Sequence, residues 1–344
     1  NAPCQEIIKE GVELDKPGNG LDGLPIPIST PGWDNAPYLT ALGYQTKDPE
    51  TEIHNLGTYR AQVKTPRRLG INTSTESRNG GYMHWLKYKE RGEKMPAAYV
   101  IGGPPSVAYV GMCKFPEAID EIAVAGGLVG SPINIVRCRT VDLFVPAEAE
   151  IVVEGFIDTE YLEPEAPFGE SHGYVNTQEF NGFMEVTAIT RRKNAVLMSY
   201  LSQVHPNETT GIRTVELEYG FSRHLKEHLG IKGVLRVVTH RPLTGNRKII
   251  FIVFERHMPR TEIWRALYGV MTQLRSGGKI IFALNDDIEP ENLDSVLWAM
   301  AFRSSPHKDI EIIKHQDRGH GPSGRKSLEN DSSLLVDPTL KEDF

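Results

Sequence analysis

Two glutamates, Glu165 and Glu170, bracket the segment Glu165-Ala166-Pro167-Phe168-Gly169-Glu170, with Pro164 before it and Gly173 after it. Proline blocks a regular helix, so the spacing predicts a shaped loop following a strand that ends near Ile157. Two carboxylates on one tight loop can be held near a single point. Their repulsion, and any burial, raises the pKa of at least one. One then serves as a general acid while the other stays ionised against a cation. By spacing alone, the plainer reading is two solvated surface charges.

Three further segments carry candidate partners. In His54-Asn55-Leu56-Gly57-Thr58-Tyr59-Arg60-Ala61-Gln62-Val63, Asn55 offers a neutral oxygen ligand and Arg60 a planar fork for a carboxylate. In Gly80-Gly81-Tyr82-Met83-His84-Trp85, His84 offers a metal ligand, although a lone His beside a Trp is more often a core or edge residue. In Asp120-Glu121-Ile122-Ala123-Val124-Ala125-Gly126-Gly127, Glu121 is an anionic ligand or simply a charge on the polar face of a helix. Together they supply Asn55, His84 and Glu121 for a hard divalent cation, and Arg60, Glu165 and Glu170 as an ion-paired acid–base set. Mg²⁺ or Mn²⁺ held by few protein groups completes its shell with phosphate oxygens. The chemistry suggested is a metal-bridged phosphorylated cofactor beside an Arg/Glu/Glu centre.

The elements that position these residues fall into two regions. Residues 1–50, rich in Pro and Gly, read as irregular. Strands are expected over Asn55–Val63, Ala97–Ile101, Ile133–Phe144, Glu150–Ile157, Phe183–Thr190 and Ala195–Leu201, the last two joined by a turn at Arg191-Arg192-Lys193-Asn194. A loop is expected over 64–81 and a helix over Glu117–Leu128. After about residue 210 the pattern alternates: helix Val215–Leu229, strands Val234–Thr239 and Ile249–Phe254, helix Thr261–Leu274, strand Lys279–Leu284, helix Pro290–Met300. That order implies a small α/β layer domain.

The chain has 344 residues, which favours two domains. Its net charge of −7, with no basic block, argues against nucleic acid as a partner. No apolar run reaches the roughly 18 residues of a membrane span, so no integral membrane segment is expected. Cys4, Cys113 and Cys138 form neither a disulfide framework nor a zinc motif and suit a cytoplasmic protein. The chain starts at Asn1 without an initiator Met or signal peptide and stops at Phe344 without a closing feature. Both ends suggest a piece of a longer protein.

At this point the ordered blocks resemble the UbiD family of prenylated-FMN-dependent decarboxylases. The resemblance begins at Ala2-Pro3-Cys4-Gln5 and continues through Asn55-Leu56-Gly57-Thr58-Tyr59-Arg60, Met83-His84-Trp85 and Glu121-Ile122-Ala123-Val124-Ala125-Gly126. It then takes in Val145-Pro146-Ala147-Glu148-Ala149-Glu150-Ile151-Val152-Val153-Glu154-Gly155, the stretch from Pro164 to Gly173, and Leu297-Trp298-Ala299-Met300. It implies an α+β fold: a mainly-β, split-barrel-like flavin-binding domain over 1–210, a smaller α/β oligomerisation domain over 211–330, and a C-terminal tail over 331–344. Asn55, His84 and Glu121 would bind Mn²⁺ (or Mg²⁺) gripping the cofactor phosphate, with K⁺ nearby. Thr58, Tyr59, Arg60, His84 and Trp85 would wrap prenylated FMN, which a flavin prenyltransferase supplies. Glu165, Arg60 and Glu170 would be the catalytic centre, with Glu170 the proton donor and Glu165 holding Arg60.

The implied reaction is reversible, non-oxidative decarboxylation of an aromatic or α,β-unsaturated carboxylic acid in a homodimer or higher homo-oligomer. Ile249–Phe254 and Leu267–Leu274 would either make the subunit contact or fill the domain's own core. The chain departs from the family in three ways. Ala166 replaces the usual Gly of the Glu-Gly-Pro-Phe-Gly-Glu block, which questions a left-handed backbone there. The stretch between Arg60 and His84 is longer, so His84 is placed by the His84-Trp85 pair. Segments that family members carry at both ends are absent. Two alternatives are a metal-dependent hydrolase using Asn55, His84 and Glu121 with Glu170 as base, and a non-catalytic oligomeric family member.

Overall fold

The computed structural model of the chain describes residues 2–72, 79–116, 118–165, 167–175, 179–201, 203, 205–242, 247–273, 277–316 and 331–341. The chain divides into two compact units, Asn1–Glu170 with Val175–Ser202, and Ser171–Tyr174 with Gln203–Phe344.

The first unit contains strands β1 (Ile7–Glu10), β2 (Tyr38–Leu39), β3 (Gly43–Lys47), β4 (His54–Gly57), β5 (Ala61–Thr65) and β6 (Arg68–Ile71), then helix α1 (Gly80–Glu90). β7 (Met95–Ile101), α2 (Pro105–Val110), α3 (Glu121–Val129), β8 (Ile135–Arg137) and β9 (Phe144–Pro146) follow. β10 (Ile151–Ile157), β11 (Glu163–Glu165) and β12 (Glu179–Arg191) complete it. Ten strands form one sheet in the order β2-β5-β6-β12-β10-β7-β3-β4, with β1 and β11 also paired to β12. β8 and β9 make a separate hairpin.

The central strands are nearly continuous apolar runs because both faces of the sheet are covered. Side chains alternate across a strand. Ala97, Tyr99 and Ile101 of β7 enter one core with Tyr44, Ile151 and Val153, whereas Ala98 and Val100 enter the opposite core with Leu56, Val107, Ala125 and Val152. The first core lies toward α1 and the second toward α2 and α3.

The second unit contains α4 (Glu208–Arg223), continued by a π-helical turn over His224–His228, then β13 (Val234–Thr239) and β14 (Ile249–Phe254). α5 (Arg260–Gln273), β15 (Ile280–Asn285), α6 (Leu293–Arg303), α7 (Pro306–Asp309), β16 (Ile310–Gln316) and β17 (Asp331–Val336) follow. The sheet order is β13-β14-β15-β17-β16, parallel from β14 through β17 and antiparallel at both edges. Leu217, Phe221 and Leu225, with Ile263, Leu267 and Val270, pack on Ile250, Ile252 and Phe254. Val296 and Ala299 of α6 pack on Phe251 and Leu284 on the other face.

The α+β class, and the order of a mainly-β part followed by an α/β part, agree with expectation. Several local readings do not. β1, β2 and β3 lie within the stretch expected to be irregular. The loop expected over 64–81 contains β6, whose four residues carry too little alternation to be seen without their partner β12. Ala195–Leu201 is not a strand; Ala195, Leu197 and Met198 pack on the core without a ladder, while Val196 and Leu201 are exposed. The expected tail is in part β17, lying between β15 and β16 in the sheet. Ile250–Phe254, Leu267, Val270 and Met271 fill the domain's own core, while Tyr268 of the same stretch is exposed; Leu274 lies outside the described residues. The described part of the expected Glu117–Leu128 helix begins at Glu121.

Candidate active site

Arg60 leads into β5 and Asn72 follows β6, so the two sit side by side at the open end of the β5–β6 hairpin, where the Asn72 N–H donates to the Arg60 carbonyl at 3.2 Å. Glu165 is on strand rather than loop. It ends β11, paired opposite Glu179 of β12. Pro164 fits there because β11 is a short edge segment. Lys64 Nζ donates to the Pro164 carbonyl at 2.6 Å, and Arg68 Nη1 donates to Glu163 at 2.5 Å, which ties β11 to the hairpin.

The guanidinium of Arg60 meets both candidate glutamates. Nε donates to Glu165 Oε1 at 2.7 Å and Nη2 to Glu165 Oε2 at 3.1 Å, a bidentate side-on pair. Nη1 donates to Glu170 Oε1. Glu165 is 3% exposed and Glu170 7% exposed, which excludes the solvated-surface reading. The Phe168 ring lies under the guanidinium at 4.8 Å and packs on Tyr38 at 4.6 Å.

Glu165 is held by further hydrogen bonds. Its Oε2 also accepts from Asn72 Nδ2 at 2.6 Å and Asn181 Nδ2 at 2.7 Å. Tyr38 also bonds to Glu165; burial, and then the Glu165 charge, raise its phenol well above the ordinary range. Asp34 fixes the other end of the loop. Its Oδ1 accepts the Gly169 N–H at 2.9 Å and its Oδ2 the Thr30 N–H at 2.7 Å. Ala166 lies outside the described residues.

The metal candidates surround β4. Asn55 is on β4 opposite Thr46 of β3, and the Thr46 hydroxyl is 2.9 Å from His84 Nδ1. Glu121, the first residue of α3, accepts the N–H of Leu56, next to Asn55, at 3.0 Å. Burial pushes the Glu121 carboxyl up to about 7 and brings the His84 imidazole down to about 4. His84 is therefore neutral near pH 7, the form that binds a metal. Gly80 is required at this point: a Cβ there would lie 2.0 Å from Asn55 Oδ1. Among the described residues no three His, Cys, Asp or Glu side chains gather for a metal; the set expected here has only His84 and Glu121 of those types, with Asn55 as the third.

Thr58 is tied to Gly111, its N–H and hydroxyl both donating to that carbonyl at 2.9 and 3.0 Å. The Tyr59 hydroxyl accepts the Gly81 N–H at 3.4 Å and bonds to Asn55, and burial pushes its phenol up to about 12. The Trp85 indole donates to the Asp158 carbonyl at 3.0 Å. Sequence reading missed Asp34, Tyr38, Asn72, Phe168 and Asn181. Only Phe168 lies in a recognised block; the others sit in stretches where a lone polar or aromatic residue carries no spacing signal.

The chain matches the family model described as the 3-octaprenyl-4-hydroxybenzoate carboxy-lyase Rift-related domain over residues 1–204, and the C-terminal domain of the same carboxy-lyase over 219–327. An uncharacterized protein of Aquifex aeolicus (strain VF5) is 31% identical over 327 residues, covering 91% of this chain and 64% of that protein. The UbiD-class enzyme HmfF of Pelotomaculum thermopropionicum, solved with FMN, is 25% identical with a TM-score of 0.88, covering 100% of this chain and 74% of that one. An evolved dimeric form of HmfF, solved with prFMN, is 26% identical with a TM-score of 0.85, covering 100% and 73%. Among the described residues no helix is long and apolar enough to cross a membrane. The chain belongs to the UbiD family of carboxy-lyases.

Proposed function

We propose that this chain is the catalytic part of a prenylated-FMN-dependent decarboxylase acting reversibly on an aromatic or α,β-unsaturated carboxylic acid. One observation carries the reading: two buried carboxylates engage different edges of the same guanidinium. HmfF, with and without the prenyl modification of its flavin, has the same fold. When bound, the prenylated flavin supplies the sink for the electron pair released as the carbon–carboxylate bond breaks.

The chain's own residues then have separate tasks. Glu165 holds Arg60 through two bonds and is itself held by Asn72 and Asn181, so it orients and does not shuttle protons. Arg60 presents the charge that steadies the substrate carboxylate. Glu170 delivers the proton to the carbon that has lost CO₂. Asn55, His84 and Glu121 would hold Mn²⁺ or Mg²⁺, with K⁺ nearby. The Asn55 amide oxygen, the Glu121 carboxylate and the neutral His84 imidazole fit a hard cation that clamps a phosphate. Thr58, Tyr59 and Trp85 would contact the flavin, which a flavin prenyltransferase supplies.

The 1–210 portion would be catalytic and the 211–330 portion oligomerising, in a homodimer or higher assembly. α6 offers the surface for this contact, with Leu293, Leu297, Trp298 and Phe302 exposed on its outer side and Phe302 74% exposed. The test is to reconstitute the chain with prenylated FMN, Mn²⁺ and K⁺ and screen aromatic and unsaturated acids for CO₂ release or ring-proton exchange. Glu170→Gln is expected to abolish turnover while the flavin absorbance is retained; an unchanged rate would remove Glu170 from the donor role. Absence of any flavin absorbance in the loaded protein would favour the hydrolase or scaffold readings.

A further inference from the structure

Glu170 follows Gly169, the residue type with the widest backbone freedom. Its place beside Arg60 depends on what fixes the backbone just before it. Asp34 reaches that point. It is 6% exposed, and its Oδ1 accepts the Gly169 N–H at 2.9 Å while its Oδ2 accepts the Thr30 N–H at 2.7 Å. The second bond holds the Asp34 side chain, so the first acts from a fixed point. Gly169 also forms an antiparallel bridge with Val175.

The segment that carries Asp34 is built on β5, the strand that Arg60 leads into. Gln62 Nε2 donates to Asn35 Oδ1 at 3.0 Å, and the Val63 N–H donates to the Pro37 carbonyl at 2.9 Å. Tyr38 and Leu39 pair with Gln62 and Ala61. The same segment meets the catalytic loop again through Tyr38, whose hydroxyl bonds to Glu165 and whose ring packs on Phe168. Arg60 and Glu170 are far apart in sequence, yet both are referred to one strand: Arg60 by the chain itself, Glu170 through Asp34.

Both groups bound by the Asp34 side chain are N–H donors. A carboxylate accepts from both, whereas an amide accepts from one and turns its own NH₂ on the other. The position calls for an acid even though it is buried. We propose that Asp34 is a positioning residue: through the Gly169 N–H it sets the Glu170 carboxyl against Arg60 for proton delivery. This rests on the decarboxylase reading, with Glu170 as the donor. Asp34 acts through the backbone and transfers no proton.

The experiment compares the chain loaded with prenylated FMN, Mn²⁺ and K⁺ with its Asp34→Asn and Asp34→Ala variants. Asp34→Asn keeps the size and opposes one donor with another; Asp34→Ala removes the acceptor without that clash. Asp22→Asn is the control, since Asp22 also accepts a backbone N–H, from Gly18 at 2.7 Å, at an exposed position. Misplacing a catalytic group by about 1 Å costs on the order of 100-fold in rate, so kcat on an accepted acid should fall at least about tenfold in both Asp34 variants. KM and the flavin absorbance should stay unchanged. The solvent deuterium isotope effect on kcat should be no smaller than in the unmodified chain, because the proton step is the one slowed. Amide exchange at Gly169 should quicken while β7 and β10 stay protected. Asp22→Asn should change none of these. The proposal is overturned by an unchanged kcat, by a fall in kcat with the isotope effect lost, by a raised KM or lost flavin in place of a lower kcat, or by unchanged exchange at Gly169. If the unmodified loaded chain turns over no acid, the decarboxylase reading fails and the proposal with it. If the unmodified chain is active and the Asp34 variants match it, the proposal fails alone.

Discussion

Replacing Glu165 by Gln changes a charge and one acceptor atom while keeping the side chain's size. The carboxylate receives four N–H bonds: Arg60 Nε on Oε1, and Arg60 Nη2, Asn72 Nδ2 and Asn181 Nδ2 on Oε2. A carboxamide has one oxygen. Placed toward Oε2 it serves three donors but turns its NH₂ onto Arg60 Nε; placed toward Oε1 it turns its NH₂ onto three donors. At least one donor–donor contact is unavoidable. Breaking a buried ion pair from one side costs about 3–5 kcal/mol. Arg60 keeps Glu170 and the Phe168 face, so the loss expected here is nearer 2–3 kcal/mol by the same principle. Misplacing a catalytic group by about 1 Å costs on the order of 100-fold in rate, so kcat should fall by at least that factor while flavin binding survives. Urea unfolding of the loaded protein and steady-state kinetics on one accepted acid measure the two effects. A destabilised variant with an unchanged kcat would reduce Glu165 to a structural residue. An unchanged stability would refute the claim that the pair is a buried clamp.

Other outcomes can be checked independently. If the proposed assembly forms through α6, Trp298→Glu or Phe302→Glu on its outer side should shift the chain toward monomer in light scattering, and an unaltered mass would refute that contact. Burial pushes the Cys4 thiol up to about 11 and raises Cys138 as well. At pH 8 only roughly one Cys4 in a thousand is thiolate, so iodoacetamide should label half-exposed Cys113 first and reach the other two only in denaturant. Prompt native-state labelling of Cys4 would contradict its placement in the core.

The long apolar strands and the alternating second unit were legible because their periodicity is local. β13 and β14 begin and end at the residues expected of them. β6 and β17 were not legible, since the four residues of β6 and the polar start of β17, Asp331-Ser332-Ser333, carry little apolar pattern, and each is fixed by the strands it pairs with, β5 and β12 for one and β15 and β16 for the other. The run Ala195–Leu201 shows the converse: its residues are apolar because they cover a core, and apolarity alone does not specify a ladder. At the candidate site, Arg60, Glu165 and Glu170 were found through their ordered family blocks, and the structure places them in contact. The Gly80-Gly81 pair read as loop composition, whereas both positions are kept free of a side chain by neighbours: Asn55 beside Gly80, and the Tyr59 ring 2.9 Å from where a Gly81 Cβ would lie. That requirement arises between segments and leaves no trace in spacing.

Asn72 and Asn181 test how far the support of Arg60 extends. They arrive from different strands, one after β6 and one within β12, and converge on the same oxygen of Glu165. A hydrogen bond to a charged group contributes about 1.5–3 kcal/mol, but each site leaves the other amide and Arg60 in place, so each Asn→Ala variant should cost nearer 1 kcal/mol by that principle. The informative quantity is the coupling. If both amides act by holding the Glu165 carboxylate, their effect should largely vanish once Glu165→Gln has removed the charge they serve. A double-mutant cycle should then show an interaction approaching about 1 kcal/mol, above the 0.3–0.5 kcal/mol scatter of independent sites. Turnover should follow the same pattern, with kcat falling in each single variant and little further in the combination, and with flavin binding unchanged. Strict additivity would mean that the two asparagines stabilise the sheet and nothing more. Glu165 would then owe its orientation to Arg60 alone, and the division of labour between the two glutamates would have to rest on Glu170.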